Sequence, residues 1–109
     1  MKNLIITAML AIAVFPALAD NTKIIVPVPP GALVDNLARL MGDEIGKQLN
    51  ETVLIENKPG ASGSIATTFA AKSEANGKTM VIGNSGTIRT YITLNPGFNG
   101  FNEKSFDPV

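Results

Sequence analysis

The residues of this chain best suited to chemistry are small ones. Pro30-Gly31-Ala32, Gly60-Ala61-Ser62-Gly63 and Asn84-Ser85-Gly86-Thr87 each follow a short apolar run rich in β-branched residues and precede a helical pattern. A strand handed over to a helix through such residues leaves the first helical N–H groups unpaired and aims the positive end of the helix dipole at the turn. An anion can be held there by backbone alone, with no charged side chain. Gly60 and Gly63 let the chain approach a ligand closely or adopt positive φ. Ser62 and Ser64 add hydroxyl donors, one of which can instead serve as a helix cap. Asn84, Ser85 and Thr87 are the polar donors of the third turn.

Other chemistries are poorly served. Cysteine and histidine are both absent, which removes disulfides, thiol nucleophiles, imidazole bases and Cys/His zinc sites together. No catalytic residue, metal or cofactor is expected. Neither G-x-G-x-x-G nor G-x-x-x-x-G-K-[ST] occurs, and the serines have no evident activator, so an enzyme fragment using these turns as a phosphate cradle is the weaker reading. Nine basic residues balance nine acidic ones, and their scatter leaves no electrostatic footprint for nucleic acid. Asp35 beside a carboxylate ligand would repel it, so capping the first helix is the role read for it. Arg39 reads as a solvated helix residue and Glu56 as a strand-end charge. Arg89, next to the third turn, is a candidate carboxylate clamp. Tyr91 and Phe69 read as core.

The elements that position the turns follow from apolar spacing. Lys23 to Val28 is a buried strand, short and without alternation, ended by Pro29-Pro30-Gly31. From Leu33 the apolar residues fall at 33, 34, 37, 40, 41, 45 and 49, the spacing of a helix, with Gly46 weakening its last turns. Thr52 to Glu56 is a second strand, Asn57 to Gly63 its turn, and Ser64 to Ser73 a helix with Ile65 and Phe69 toward the sheet. Thr79 to Ile82 is a third strand. Thr87 to Leu94 reads as a short helix, although its β-branched content also suits a strand. The alternation predicts an α/β fold with a parallel βαβαβ sheet and right-handed crossovers. In the order 2-1-3, the turns after strands one and three flank a switch point, where open α/β sheets bind ligands. Three such units leave a sheet edge open.

The first nineteen residues read as a leader. Lys2 is a short positive region, Leu4 to Phe15 an apolar core, and Ala17-Leu18-Ala19 a small-x-small cleavage site. As a helix the apolar core reaches only ~18 Å, against ~30 Å of hydrocarbon. The mature chain is expected to start at Asp20, in the periplasm, without stable membrane insertion.

The segments IVPVPPGALVDNLARL, IENKPGASGSIAT and NGKTMVIGNSGT resemble the opening of the Bug-type extracytoplasmic solute receptors, the periplasmic binding proteins of tripartite tricarboxylate transporters. The resemblance covers essentially the whole mature chain, with the motifs in the family's order. It implies a two-lobed periplasmic-binding-protein fold about three times this length, of which residues 20–109 are part of the N-terminal lobe. It further implies a small di- or tricarboxylate ligand and delivery to a pair of membrane subunits. The ligand-binding residues carried over are Pro30, Gly31, Ala32, Gly60, Ala61, Ser62, Gly63, Asn84, Ser85 and Thr87. This sequence departs from the pattern at Ala32, Leu33, Val34, Ser62 and Ala66, where glycines or small or hydroxylated residues are usual. Those changes bear on ligand identity more than on fold; Val34, for one, lacks a hydroxyl donor. The alternative is a truncated remnant without independent function.

Overall fold

In a computed structural model, residues 21–84 and 86–109 are described; the expected signal peptide, its cleavage site and Ser85 lie outside them. Strands β1 (Lys23–Val26), β2 (Leu54–Asn57) and β3 (Thr79–Val81) form a parallel sheet, as the alternation predicts, and their order is β2-β1-β3, the one that makes a switch point beside β1. Ile24 stands opposite Ile55 on one side and Met80 on the other.

β1 is two residues shorter than expected. Pro27 has no N–H to continue the ladder, and the last bonds at this end run from Lys58 N–H to Val26 O and from Ile82 N–H to Ile25 O. β2 begins later and reaches Asn57, which pairs with Val26.

Helix α1 (Leu33–Leu49) joins β1 to β2 and packs on both. Helix α2 (Ser64–Ala71) joins β2 to β3 and packs on β1 and β3. With β1 in the centre, right-handed crossovers put the two helices on opposite faces. Ile24 and Val26 form the core with Ala38 of α1, flanked by Val34, Ile45, Val53 and Ile55. Ile25 points the other way along the strand and is fully buried.

The inward face of α1 differs from the one its apolar pattern suggests. Val34, Ala38, Gly42 and Ile45 meet the sheet, whereas Leu33, Leu37, Leu40 and Met41 are exposed. The small residues decide this. A Cβ on Gly42 would stand 3.0 Å from Ile55 Cδ1, so the helix sits close where Ala38 and Gly42 let it. Gly46, expected to weaken the last turns, also shapes the end of α1. Its carbonyl accepts the N–H of Asn50, which has left-handed φ of 53°, and that of Glu51. A Cβ there would lie 2.7 Å from Glu51 O.

Ile65 and Phe69 of α2 also face outward, at 50% and 37% exposure, while Ser64, Ala66 and Thr67 are buried. Lys58 Nζ lies 4.1 Å from the centre of the Phe69 ring, and it also pairs with Glu56 at 2.7 Å. After β3 the chain turns through a wide helical turn, Gly86–Thr90, into the short helix α3 (Tyr91–Leu94). The helical reading of this segment holds over the strand reading. Tyr91 packs among Phe98 and Phe101, with ring centroids 5.0 and 6.4 Å away, and Phe106 adds to the far side of Phe101. Phe101 is buried, so this tail builds an aromatic cluster without a further strand.

Candidate functional site

The carboxyl ends of the three strands open into one hollow of about 580 Å³. Pro27, Val28 and Pro29 reach it from β1, Pro59, Gly60, Ser62 and Gly63 from β2, and Ile82, Gly83, Asn84 and Thr87 from β3. Val34, in the first turn of α1, completes the wall. Among the described residues lining it, none is charged. The expected residues Gly60, Ser62, Gly63, Asn84 and Thr87 therefore come together, while Pro30, Gly31, Ala32 and Ala61, adjacent to lining residues in the sequence, do not line the hollow.

The first turn spends two of its donors internally. Gly31 N–H donates to Asp35 Oδ2 at 2.8 Å, and Ala32 N–H donates to Pro29 O at 3.3 Å. Gly31 has φ of +88°, and a Cβ there would meet nothing within 4 Å; it is suited to the turn rather than to a close approach. Asp35 is 1% exposed and stands in the first turn of α1, but it does not cap the helix as expected: its carboxylate accepts from Gly31, one residue ahead of the N-cap Ala32, and so fastens the turn to the helix. It also gathers partners that the sequence reading missed. Arg39, read as solvated, reaches it with Nε at 3.0 Å and Nη2 at 3.2 Å, and Asn57 Nδ2 reaches it at 2.8 Å. Asn57 Nδ2 also donates to Val28 O, tying the end of β2 to the segment after β1. The Gly31 N–H, then Arg39, then Asn57 hold the Asp35 carboxyl at about 2, against an ordinary 3.8, because hydrogen bonds to the ionised form favour it.

The second turn is the strained one. Gly60, Ala61, Ser62 and Gly63 have φ of 120°, 47°, 54° and 87°, a run of left-handed backbone that costs about 1–2 kcal/mol per non-glycine residue. Gly63 is required twice over. Its φ suits glycine, and a Cβ would stand 2.4 Å from Thr87 Cγ2, so the second and third turns touch at this residue. Gly63 and Ser64 N–H donate to Gly60 O and Ala61 O. Among the described residues, the N–H groups of Ala61 and Ser62 meet no backbone acceptor, and the Ser62 hydroxyl has no partner. Strain of this kind collects at ligand sites.

In the third turn, Asn84 and Thr87 satisfy each other. Thr87 N–H donates to Asn84 Oδ1, Asn84 N–H donates to Thr87 Oγ1, and the Thr87 hydroxyl donates to Asn84 O, each at 3.0 Å. Arg89, the candidate clamp, is exposed and does not line the hollow. No group of acidic side chains among the described residues is placed to hold a metal ion.

Residues 37–102 match the model of the tripartite tricarboxylate transporter family receptor. The chain belongs to this family. Protein BugT of Bordetella pertussis is 37% identical over 67 residues, which are 62% of this chain and 21% of BugT. The chain spans about a fifth of the length of the curated relatives it matches. Two solved structures from Rhodopseudomonas palustris superpose on it with a TM-score of 0.58. Rpa4515 with adipate is 35% identical, covering 61% of this chain and 22% of that one. MatC with bound malate is 36% identical, covering 62% and 23%. The family is one of substrate-binding receptors of transporters, and the two solved structures superpose on about three fifths of this chain. No helix among the described residues is long and apolar enough to cross a membrane.

Proposed function

We propose that residues 20–109 are the opening part of one lobe of a two-lobed periplasmic receptor, exported by a signal peptide at residues 1–19. Its hollow is one wall of a cleft for a small carboxylate of the di- or tricarboxylate type. The receptor hands that acid to the membrane subunits of a tripartite transporter and does no chemistry on it. One arrangement supports this reading above all: three strand-to-helix turns meet at the switch point of a parallel sheet, around a hollow with no charged side chain among the described residues. Such a hollow binds an anion through N–H groups and helix dipoles. The N–H groups of Ala61 and Ser62 and the Ser62 hydroxyl are the foremost donors; Gly60 and Gly63 shape the turn that presents them. Pro30, Gly31 and Ala32 hold the first helix in place beside it, and Asn84 and Thr87 form the opposite rim; the Ser85 hydroxyl belongs to the proposed ligand set on its sequence position alone.

The reading is tested by titrating the chain with succinate, citrate, succinamide and methyl phosphate while its amide resonances are followed. The acids are expected to bind in the millimolar range and the neutral succinamide not at all. Methyl phosphate binding tighter than either acid would favour the phosphate-cradle alternative, and indifference to all four would overturn the receptor reading.

A further inference from the structure

The hollow has no charged side chain among its described lining residues, yet an ionised acid stands directly behind its wall. Asp35 follows Val34, which lines the hollow. The Asn57 amide nitrogen that donates to Asp35 Oδ1 at 2.8 Å also donates to the carbonyl of Val28, another lining residue, at 3.0 Å. Asp35 is buried, so salt and water screen it weakly. Its carboxyl is held ionised by the Gly31 N–H, then by Arg39 and Asn57. A negative charge in that place repels an acid bound in the hollow, across the apolar side chains between them.

Arg39 is the cation that meets this charge. From the next turn of α1 it spans both carboxylate oxygens, with Nε 3.0 Å from Oδ2 and Nη2 3.2 Å from Oδ1. Two parallel bonds of this kind fix a guanidinium in place, although half of the Arg39 side chain is exposed. Lys58, which precedes Pro59 of the second turn, is instead paired with Glu56 at 2.7 Å. Asp35 itself is tied into the fold, because it joins the first turn, the start of α1 and the end of β2. The charge must therefore be cancelled where it stands.

We infer that Arg39, which does not line the hollow, sets how strongly the hollow takes a doubly charged acid, by cancelling the negative charge of Asp35. The inference rests on the receptor reading and adds to it a residue that acts through another. Coulomb repulsion scales with ligand charge, so an uncancelled Asp35 acts on both carboxylates of a dianion and on the single one of a monoanion. A role in packing alone would weaken the two ligands by one common factor.

The test is a titration of the chain with succinate and with monomethyl succinate, monitored by amide resonances at neutral pH and low, fixed ionic strength. The two ligands differ by one negative charge on the same carbon body. Arg39→Met keeps most of the apolar stem and removes the charge; it should weaken succinate by about two- to fivefold and monomethyl succinate by less. Arg39→Lys keeps the charge and should keep the preference for succinate. Asp35→Asn leaves the Arg39 charge uncancelled and should raise that preference, whatever it does to stability. Equal weakening of both ligands by Arg39→Met would overturn the inference and leave the receptor reading intact. A preference lost as fully in Arg39→Lys as in Arg39→Met, or lowered by Asp35→Asn, would overturn it too, since charge would then not be the cause. No response of the parent chain to either ligand would overturn the receptor reading, and this inference with it.

Discussion

Asp35 shows what a single residue does for this site. Its carboxylate collects Gly31 N–H, Arg39 and Asn57, so one charge fixes the first turn, the start of α1 and the end of β2. Its pKa of about 2 in the fold lies below its ordinary 3.8. The unfolded chain therefore binds the proton more readily, and the stabilisation is complete above about pH 4 and lost as pH falls toward 2. Urea unfolding of the chain should show stability falling through that window, and Asp35→Asn should be less stable at neutral pH and flatter below pH 4. Glu51 works in the same direction, its carboxyl held low by the Thr22 hydroxyl and then by Lys78, so the double variant with Glu51→Gln should flatten the profile further. The sequence placed Asp35 at the helix start because that position is local. Arg39, four residues on, was open to the i,i+4 rule and was read as solvated instead; Asn57 was hidden because it is 22 residues away and its pairing depends on the sheet register.

At the scale of elements, the strands, the helices and their order were legible, and the faces were not. The bounds of α1 followed from its apolar spacing and coincide with Leu33–Leu49. That spacing contains two apolar rows, and a hydrophobicity pattern ranks the larger leucines first. Packing ranks Ala38 and Gly42 first, because they let α1 approach Ile55 and the centre of the sheet. Leu40→Lys, at a position 68% exposed, should therefore change stability by no more than about 0.5 kcal/mol. Ala38→Leu should cost about 1–3 kcal/mol by overpacking, and denaturant midpoints measure both. The second turn allows a sharper comparison. Ser62 has φ of 54°, so Ser62→Gly should stabilise by up to about 1 kcal/mol, the relief of left-handed strain less glycine's extra flexibility. Gly63→Ala meets Thr87 Cγ2 as well as an unfavourable φ, and should cost about 2 kcal/mol or more.

For the whole molecule, alternation and handedness gave the parallel sheet, while the order β2-β1-β3, which fixes the place of the hollow, was one possibility in the sequence and is settled by the structure. The aromatic cluster of Tyr91, Phe98, Phe101 and Phe106 did not follow, because residues after Leu94 carry no period to read and meet only once the chain has folded. Affinity belongs to this scale too. Each hydrogen bond to a charged group contributes about 1.5–3 kcal/mol, and a micromolar ligand needs about 8 kcal/mol. The few donors of one wall reach about the millimolar range, where 1 mM ligand stabilises by under about 0.5 kcal/mol. A thermal melt of this chain with 1 mM carboxylate should thus show no resolvable shift, whereas a two-lobed receptor built on it should shift by several degrees with its own acid. The central claim is that the turns at the switch point hold the carboxylate, and residue-by-residue mapping of amide shifts under saturating succinate tests it most directly. The largest shifts are expected at Ala61, Ser62 and Gly63, with smaller ones at Val34 and Asn84. Shifts centred on the exposed leucines of α1, or on the aromatic cluster, would contradict it.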